Sequence, residues 1–216
     1  MSVNKDDSID SSKAWAGYYR WTAKRPPRDL LVQVLNHVEW ERKHRRGAVA
    51  IDLGFGAGND TLELLRRGWR VVAIDGQESA VKFLERRVAP GQRNRLECLV
   101  ARMEEVELRP ADLVYASFSL PFCRPEKFPL LWSKIRNSLR PGGHFAGQLF
   151  GDRDEWKGAR PMTFHSADEV RRLSRGTRIE LLRETVEEGM SYGGPKHWHF
   201  FDLILGEPPM RTHAYR

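Results

Sequence analysis

The chain has 216 residues, 36 Lys and Arg against 29 Asp and Glu, and a formal net charge of +7. One domain with a sizeable core is expected at this length, and 40% hydrophobic with 30% charged residues fits a globular chain and not a disordered one. Two cysteines, Cys98 and Cys123, exclude a disulfide scaffold and a four-cysteine metal site. The first dozen residues lack the apolar stretch of a signal peptide, and no window approaches the roughly 18 apolar residues of a membrane span, so a cytoplasmic protein with no membrane partner is expected. The charge excess points to an anionic partner without choosing between nucleic acid, a surface and a small ligand.

Residues 1 to about 12 read as a tail, followed by an aromatic cluster of Trp15, Tyr18, Tyr19 and Trp21. Pro26-Pro27 cannot sit inside a helix and marks a start. Leu30, Leu31, Val34, Leu35 and Val38 then recur at helical spacing and predict an amphipathic helix over 29–41. The basic run 42–46 reads as a solvated connection. From residue 48 the period changes. Short apolar runs at 48–53, 69–74, 96–100, 111–116 and 144–150 read as buried strands, separated by helical patterns at 60–67, 78–88 and 126–139. Arg140-Pro-Gly-Gly143 is expected to stop the last of these helices. A further helix is predicted over 166–173, with Ser166 as its cap. Two β-type runs, 178–188 and 197–205, follow, joined by the Gly- and Pro-containing segment 189–196. With no helix between them they should pair antiparallel.

This alternation predicts an α/β fold: a single doubly wound, Rossmann-like domain with seven mostly parallel strands and an antiparallel C-terminal edge hairpin. There is no internal repeat. Residues 206–216 read as a second tail.

The most informative segment is Asp52-Leu-Gly54-Phe-Gly56-Ala-Gly58-Asn59, which follows a strand and opens a helix. Glycines let backbone approach a ligand closely, and the helix N-terminus offers free N–H groups. The dinucleotide fingerprint G-x-G-x-x-G fails, because its third glycine would fall on Asn59 or Thr61. The spacing found, G-x-G-x-G led by an acid, resembles motif I of the class I S-adenosylmethionine-dependent methyltransferases. Over roughly 45–205 the chain is closest to the small-molecule, tellurite-resistance-type branch. That resemblance implies S-adenosyl-L-methionine as cofactor and a small-molecule acceptor. It divides the chain into an N-terminal tail, aromatic lid and helix (1–44), a methyltransferase domain (45–205) and a C-terminal tail (206–216).

The resemblance also implies roles for residues. Asp52, Gly54, Gly56, Gly58 and Asn59 would border the cofactor, the glycines fixing it through their backbone. Asp75, closing the second strand ahead of Gly76 and Gln77, would accept from the ribose hydroxyls. The loop Arg102-Met103-Glu104 would wrap the adenine. Arg102 stands where the family commonly has an Asp, so Met103 would pack on the ring while Glu104 or backbone groups replace the acceptor. Ser117, Phe118 and Ser119 would pass the transferred methyl. Tyr18, Tyr19 and Trp21 would help to close the site.

His165, His197, His199 and Tyr192 are candidate general bases, each more readily read as structural, and no catalytic residue is assigned. His197 and His199 share a strand face but lack a third ligand, so no metal is expected. An RNA or protein methyltransferase, suggested by the charge, is the alternative reading. A cofactor-binding regulator without turnover is a third. The expected site lies away from much of the basic surplus, which was placed at 42–46, Arg66-Arg67, Arg86-Arg87 and Arg171-Arg172-Arg175 on outer faces.

Overall fold

A computed structural model of the chain describes residues 12–41, 47–159 and 161–208. The basic run 42–46 and most of both predicted tails lie outside the described residues. The aromatic cluster forms a helix of its own, α1 (Ser12–Thr22), and Pro26-Pro27 separates it from α2 (Asp29–Glu41). The chain then alternates through β1 (Val49–Leu53), α3 (Asn59–Arg66), β2 (Arg70–Asp75), α4 (Glu78–Glu85), β3 (Leu96–Val100) and β4 (Ala111–Ala116). It continues through α5 (Phe128–Ser138), β5 (Leu139–Gly151), β6 (Phe164–His165), α6 (Ala167–Leu173), β7 (Arg178–Ser191) and β8 (Gly194–Gly206).

The sheet runs in the order β3-β2-β1-β4-β5-β8-β7, with β6 paired to β5 off this path. The first five strands are parallel to their neighbours, and β8 joins β5 antiparallel with β7 at the edge. Period-two alternation divides the core between the two faces. Ala50, Val71, Ala73, Leu113 and Tyr115 pack with side chains of α1 to α4, including Leu31, Val34 and Leu35 of α2. Ile51, Leu53, Val114, Phe145 and Leu203 pack with Leu131, Trp132 and Ile135 of α5 and Val170 of α6. Ser166 caps α6 through a capping box with Glu169, as its position predicts.

Three local expectations are corrected. Helix α5 stops at Ser138 ahead of Arg140–Gly143 as expected, but that segment lies inside extended backbone and is not a turn, because an irregularity opposite Ala111 and Leu113 of β4 takes up the extra residues of β5 and Gly142 adopts φ +72°. The segment 189–196 is mostly strand, with the ladder running to Ser191↔Gly194 and leaving only Tyr192 and Gly193 in the turn. The strand count is eight where seven were expected, because the two-residue β6 carries no periodicity to read. Among the described residues, no helix is long and apolar enough to cross a membrane.

Candidate functional site

Strand order reverses between β1 and β4, and in a doubly wound sheet ligands bind in the crevice at the carboxyl ends of strands at such a switch point. The turns leaving β1, β2 and β4 meet there. Gly54, Gly56 and Gly58 all adopt left-handed φ, +70°, +56° and +78°, a region costly for a residue with a Cβ. At Gly54 the approach is also close: a Cβ would lie 2.4 Å from Ser119 Cβ and 3.7 Å from Met103 Cε. The Ser119 hydroxyl donates to the Leu53 carbonyl and pins the β4 turn to the end of β1. Turns far apart in sequence, among them those of Gly54, Met103 and Ser119, are thereby gathered at one point.

Asp75 organises the turn. Its Oδ2 accepts from Gly56 N at 2.9 Å and its Oδ1 from Gln77 N at 3.0 Å. The Tyr19 hydroxyl of α1 also donates to it. Burial raises the Asp75 carboxyl above its ordinary range, against the lowering effect of these donors. Tyr19 is fully buried, and burial with the Asp75 charge drives its phenol far above the usual range. Asp52 is buried behind the loop, accepting from the Thr61 hydroxyl at 2.6 Å. Burial pushes its carboxyl up to about 8, with Asp60 and Asp75 adding to the shift.

Asn59 turns to the lid, its amide donating to the Thr22 carbonyl at 2.7 Å. Gly76 is exposed at the bend after β2. On the next loop Arg102 and Glu104 pair with each other at 2.7 Å, with Glu104 buried, so the acid is engaged by the cation beside it. Ser117 and Phe118 are half-buried beyond β4. Phe118 holds φ +51°, a strained conformation for a non-glycine residue, fixed by its N–H donating to Gln148 Oε1 at 3.1 Å. Gln148 in turn donates to Asp202 at 2.9 Å, and Arg183 donates to the other oxygen of that carboxylate at 2.7 Å.

Helix α1 packs against the far hairpin. Tyr192 at the β7–β8 turn meets Tyr18 edge-on and Trp21 at a tilt, with ring centroids 6.0 and 5.8 Å apart. A Cβ at Gly17 would meet the Tyr192 hydroxyl at 2.2 Å, so α1 approaches this ring with no side chain between.

The candidate histidines are otherwise engaged or walled off, whereas Tyr192 is exposed. His199 is buried, with Nδ1 accepting from Arg153 N at 3.0 Å and Nε2 2.9 Å from Glu184. His197 lies 2.6 Å from Glu188. His165 packs on Phe128 with ring centroids 4.5 Å apart, and burial lowers it to about 4. Lys196 is buried against Asp154 at 2.5 Å, its ammonium 3.5 Å from the Trp198 ring centroid and 4.2 Å from that of Trp156.

Sequence reasoning missed the arginines. Arg87, placed on an outer face, instead donates to the Ala57 carbonyl of the glycine loop and, at 2.9 Å, to Ala23 beyond α1. Arg25 pairs with Asp60 at 3.2 Å, and Arg28 N donates to the same carboxylate at 2.9 Å. An acid at the start of a helix is a readable feature, but nothing local says which basic residue reaches it. His37, His144 and Glu180, at the opposite end of the sheet, bring potential ligand atoms within 4.8 Å of one another, where no metal site was expected. Arg178 also reaches that cluster, at 2.6 Å from Glu180.

The strand order and the acid-led glycine turn define a class I methyltransferase fold. Residues 50–143 match the family model described as a methyltransferase domain. Its curated relatives include carboxy-S-adenosyl-L-methionine synthases: that of Shewanella loihica is 30% identical over 97 residues, 43% of this chain and 40% of the synthase, and that of Vibrio atlanticus is 35% identical over the same shares. The matched region thus spans well under half the length of these relatives. Among solved structures the chain resembles TehB from Haemophilus influenzae, with a TM-score of 0.65 at 16% identity over 80% of this chain and 62% of that one. It also resembles magnesium protoporphyrin IX methyltransferase from Synechocystis, with a TM-score of 0.63 at 14% identity over 91% and 92%.

Proposed function

We propose that this chain binds S-adenosyl-L-methionine across the carboxyl ends of β1, β2 and β4 and transfers its methyl group to a small-molecule or small-anion acceptor. The observation that carries this reading is Asp75: a carboxylate at the end of β2, held by two backbone N–H groups and aimed beside the glycine turn. Synthases named for a carboxylated form of the same cofactor share this region, and solved methyltransferases share the fold.

The cofactor supplies an activated methyl on a sulfonium, so the protein's task is to bind, align and exclude water. In this reading Asp75 takes the ribose hydroxyls, Met103 packs on the adenine, and Gly54 to Asn59 border the methionine end. Ser117, Phe118 and Ser119 line the approach to the methyl. Tyr18, Tyr19 and Trp21 form the lid of the domain spanning 45–205. Arg102 engages only Oε1 of Glu104, so Glu104 through its other oxygen, or backbone groups, accept from the adenine amine. The Tyr19 hydroxyl occupies the carboxylate that the ribose needs, so binding displaces it and α1 shifts. A thiolate or other soft anion needs no general base, in keeping with histidines that are engaged or buried.

A second reading follows from the synthases: the cofactor itself is the molecule modified. Calorimetry with S-adenosylhomocysteine and NAD tests cofactor choice, with binding expected for the first alone; the reverse preference refutes the reading. A panel of thiols, selenite, tellurite and phenols, followed by S-adenosylhomocysteine release and mass spectrometry of the nucleotide, separates acceptor methylation from cofactor modification.

A further inference from the structure

Arg28 sits where the α1–α2 connection crosses the carboxyl end of the sheet, tied by its own backbone N–H to Asp60 at the start of α3. Its guanidinium lies over the Phe118 ring, 4.6 Å from the centroid, and its Nε is buried with no hydrogen-bond partner. Among the described residues no carboxylate comes within salt-bridge distance of it. Asp60, its acidic neighbour, is already committed to Arg25 Nη2 at 3.2 Å, to the Arg28 backbone and to the Tyr115 hydroxyl at 3.4 Å. Burial and the Arg25 charge hold the Arg28 guanidinium below its ordinary range. The residue is half-buried with its Nε shut away from water and unpartnered, and withdrawing part of a guanidinium without a partner is costly.

The surroundings narrow what would pair with it. Phe118 continues into an aromatic wall, with Phe200 at 5.1 Å and Trp198 at 5.9 Å between centroids. A guanidinium fork is matched to a planar oxyanion, which it holds with two parallel N–H bonds. Resting on the cofactor reading above, we infer that Arg28 is the anchor for a carboxylate of a bound reactant. Two molecules can present that group: the cofactor, through its amino-acid end, or the methyl acceptor.

The test uses the full chain, the variants Arg28→Met and Arg28→Lys, and calorimetry. Methylthioadenosine, which has the nucleoside and sulfur but no amino acid, is compared with S-adenosylhomocysteine. If the cofactor supplies the carboxylate, Arg28→Met weakens S-adenosylhomocysteine at least tenfold, leaves methylthioadenosine unchanged, and Arg28→Lys recovers part of the loss. If the acceptor supplies it, both nucleosides bind Arg28→Met as they bind wild type. Benzoate titrated into S-adenosylhomocysteine-saturated wild-type protein then binds, and that binding disappears in Arg28→Met. A variant with all three affinities within twofold of wild type overturns the assignment, as does a variant that weakens methylthioadenosine as much as S-adenosylhomocysteine. Failure of wild type to bind either nucleoside instead refutes the cofactor reading on which the inference rests. A melting temperature for Arg28→Met at or above that of wild type is expected, since a half-buried guanidinium with an unpartnered Nε is removed; a purely structural cation–π contact would lower it.

Discussion

Tyr19→Phe removes one oxygen and should move two measurements in opposite directions. The phenol is fully buried, and its ring keeps its neighbours Trp15, Tyr18 and Phe83 without the hydroxyl. What is lost is the bond to Asp75, which retains Gly56 N and Gln77 N. A hydrogen bond to a charged group is worth about 1.5–3 kcal/mol. Without ligand that loss should lower the melting temperature by roughly 3–12 °C. In the proposed bound state the ribose displaces the hydroxyl, so the variant would no longer have that energy to overcome. S-adenosylhomocysteine should therefore bind ~10- to ~100-fold more tightly to the variant. Differential scanning fluorimetry and calorimetry on one preparation read both quantities. Weaker binding by Tyr19→Phe would refute the reasoning, because it would make the hydroxyl a ligand contact and not a competitor.

Asp75→Ala is expected to weaken S-adenosylhomocysteine by an order of magnitude or more, checked by the same titration; unchanged affinity removes Asp75 from the ribose site. Asp52→Asn tests the raised carboxyl. Its folded value near 8 lies above the ordinary 3.8, so its contribution is fully present below about pH 4 and is lost as pH rises through 8. Urea unfolding from pH 4 to 9 should therefore fall less steeply for Asn than for Asp. His165→Gln tests the opposite sign. With a folded value near 4 against an ordinary 6.5, its contribution is present above pH 6.5 and lost as pH falls through 4, and the variant should flatten that acid limb. Gly151→Ala places a Cβ 2.1 Å from the His199 ring, which Arg153 N and Glu184 hold in place. A cost of about 1–3 kcal/mol is expected from denaturant titration, and a neutral variant would show that the ring can move.

Much of the frame was legible because its signals are local. The alternating strands, the glycine turn and the Ser166 cap each depend on residues a few positions apart, where period, φ and a short side chain decide the outcome. The parallel sheet and its antiparallel edge hairpin followed from the alternation of strands and helices, whereas the order of the strands was not read from the sequence. What escaped depends on distant segments meeting. Nothing near Tyr19 says that it reaches Asp75, nothing near Gly17 announces Tyr192, and Arg87 looks like any helix-end arginine until Ala57 is seen beside it. The β5 bulge was missed for a related reason: Pro-Gly-Gly is a turn signal on its own, and only pairing with β4 makes it part of a strand. That Arg102 pairs with Glu104 is a matter of side-chain direction, which spacing does not give.

The meeting of α1 with the tip of the β7–β8 hairpin bears on timing. Tyr192 leans on both Tyr18 and Trp21, so neither flap can swing outward without tearing a contact from the other. If the proposed cofactor site is correct, entry and departure of the nucleoside are expected to be one concerted event with a single shared barrier. In such an arrangement the slow step of a cycle moves from bond-making to product escape. Shaving the Tyr192 ring would quicken the clock while leaving the reacting groups untouched.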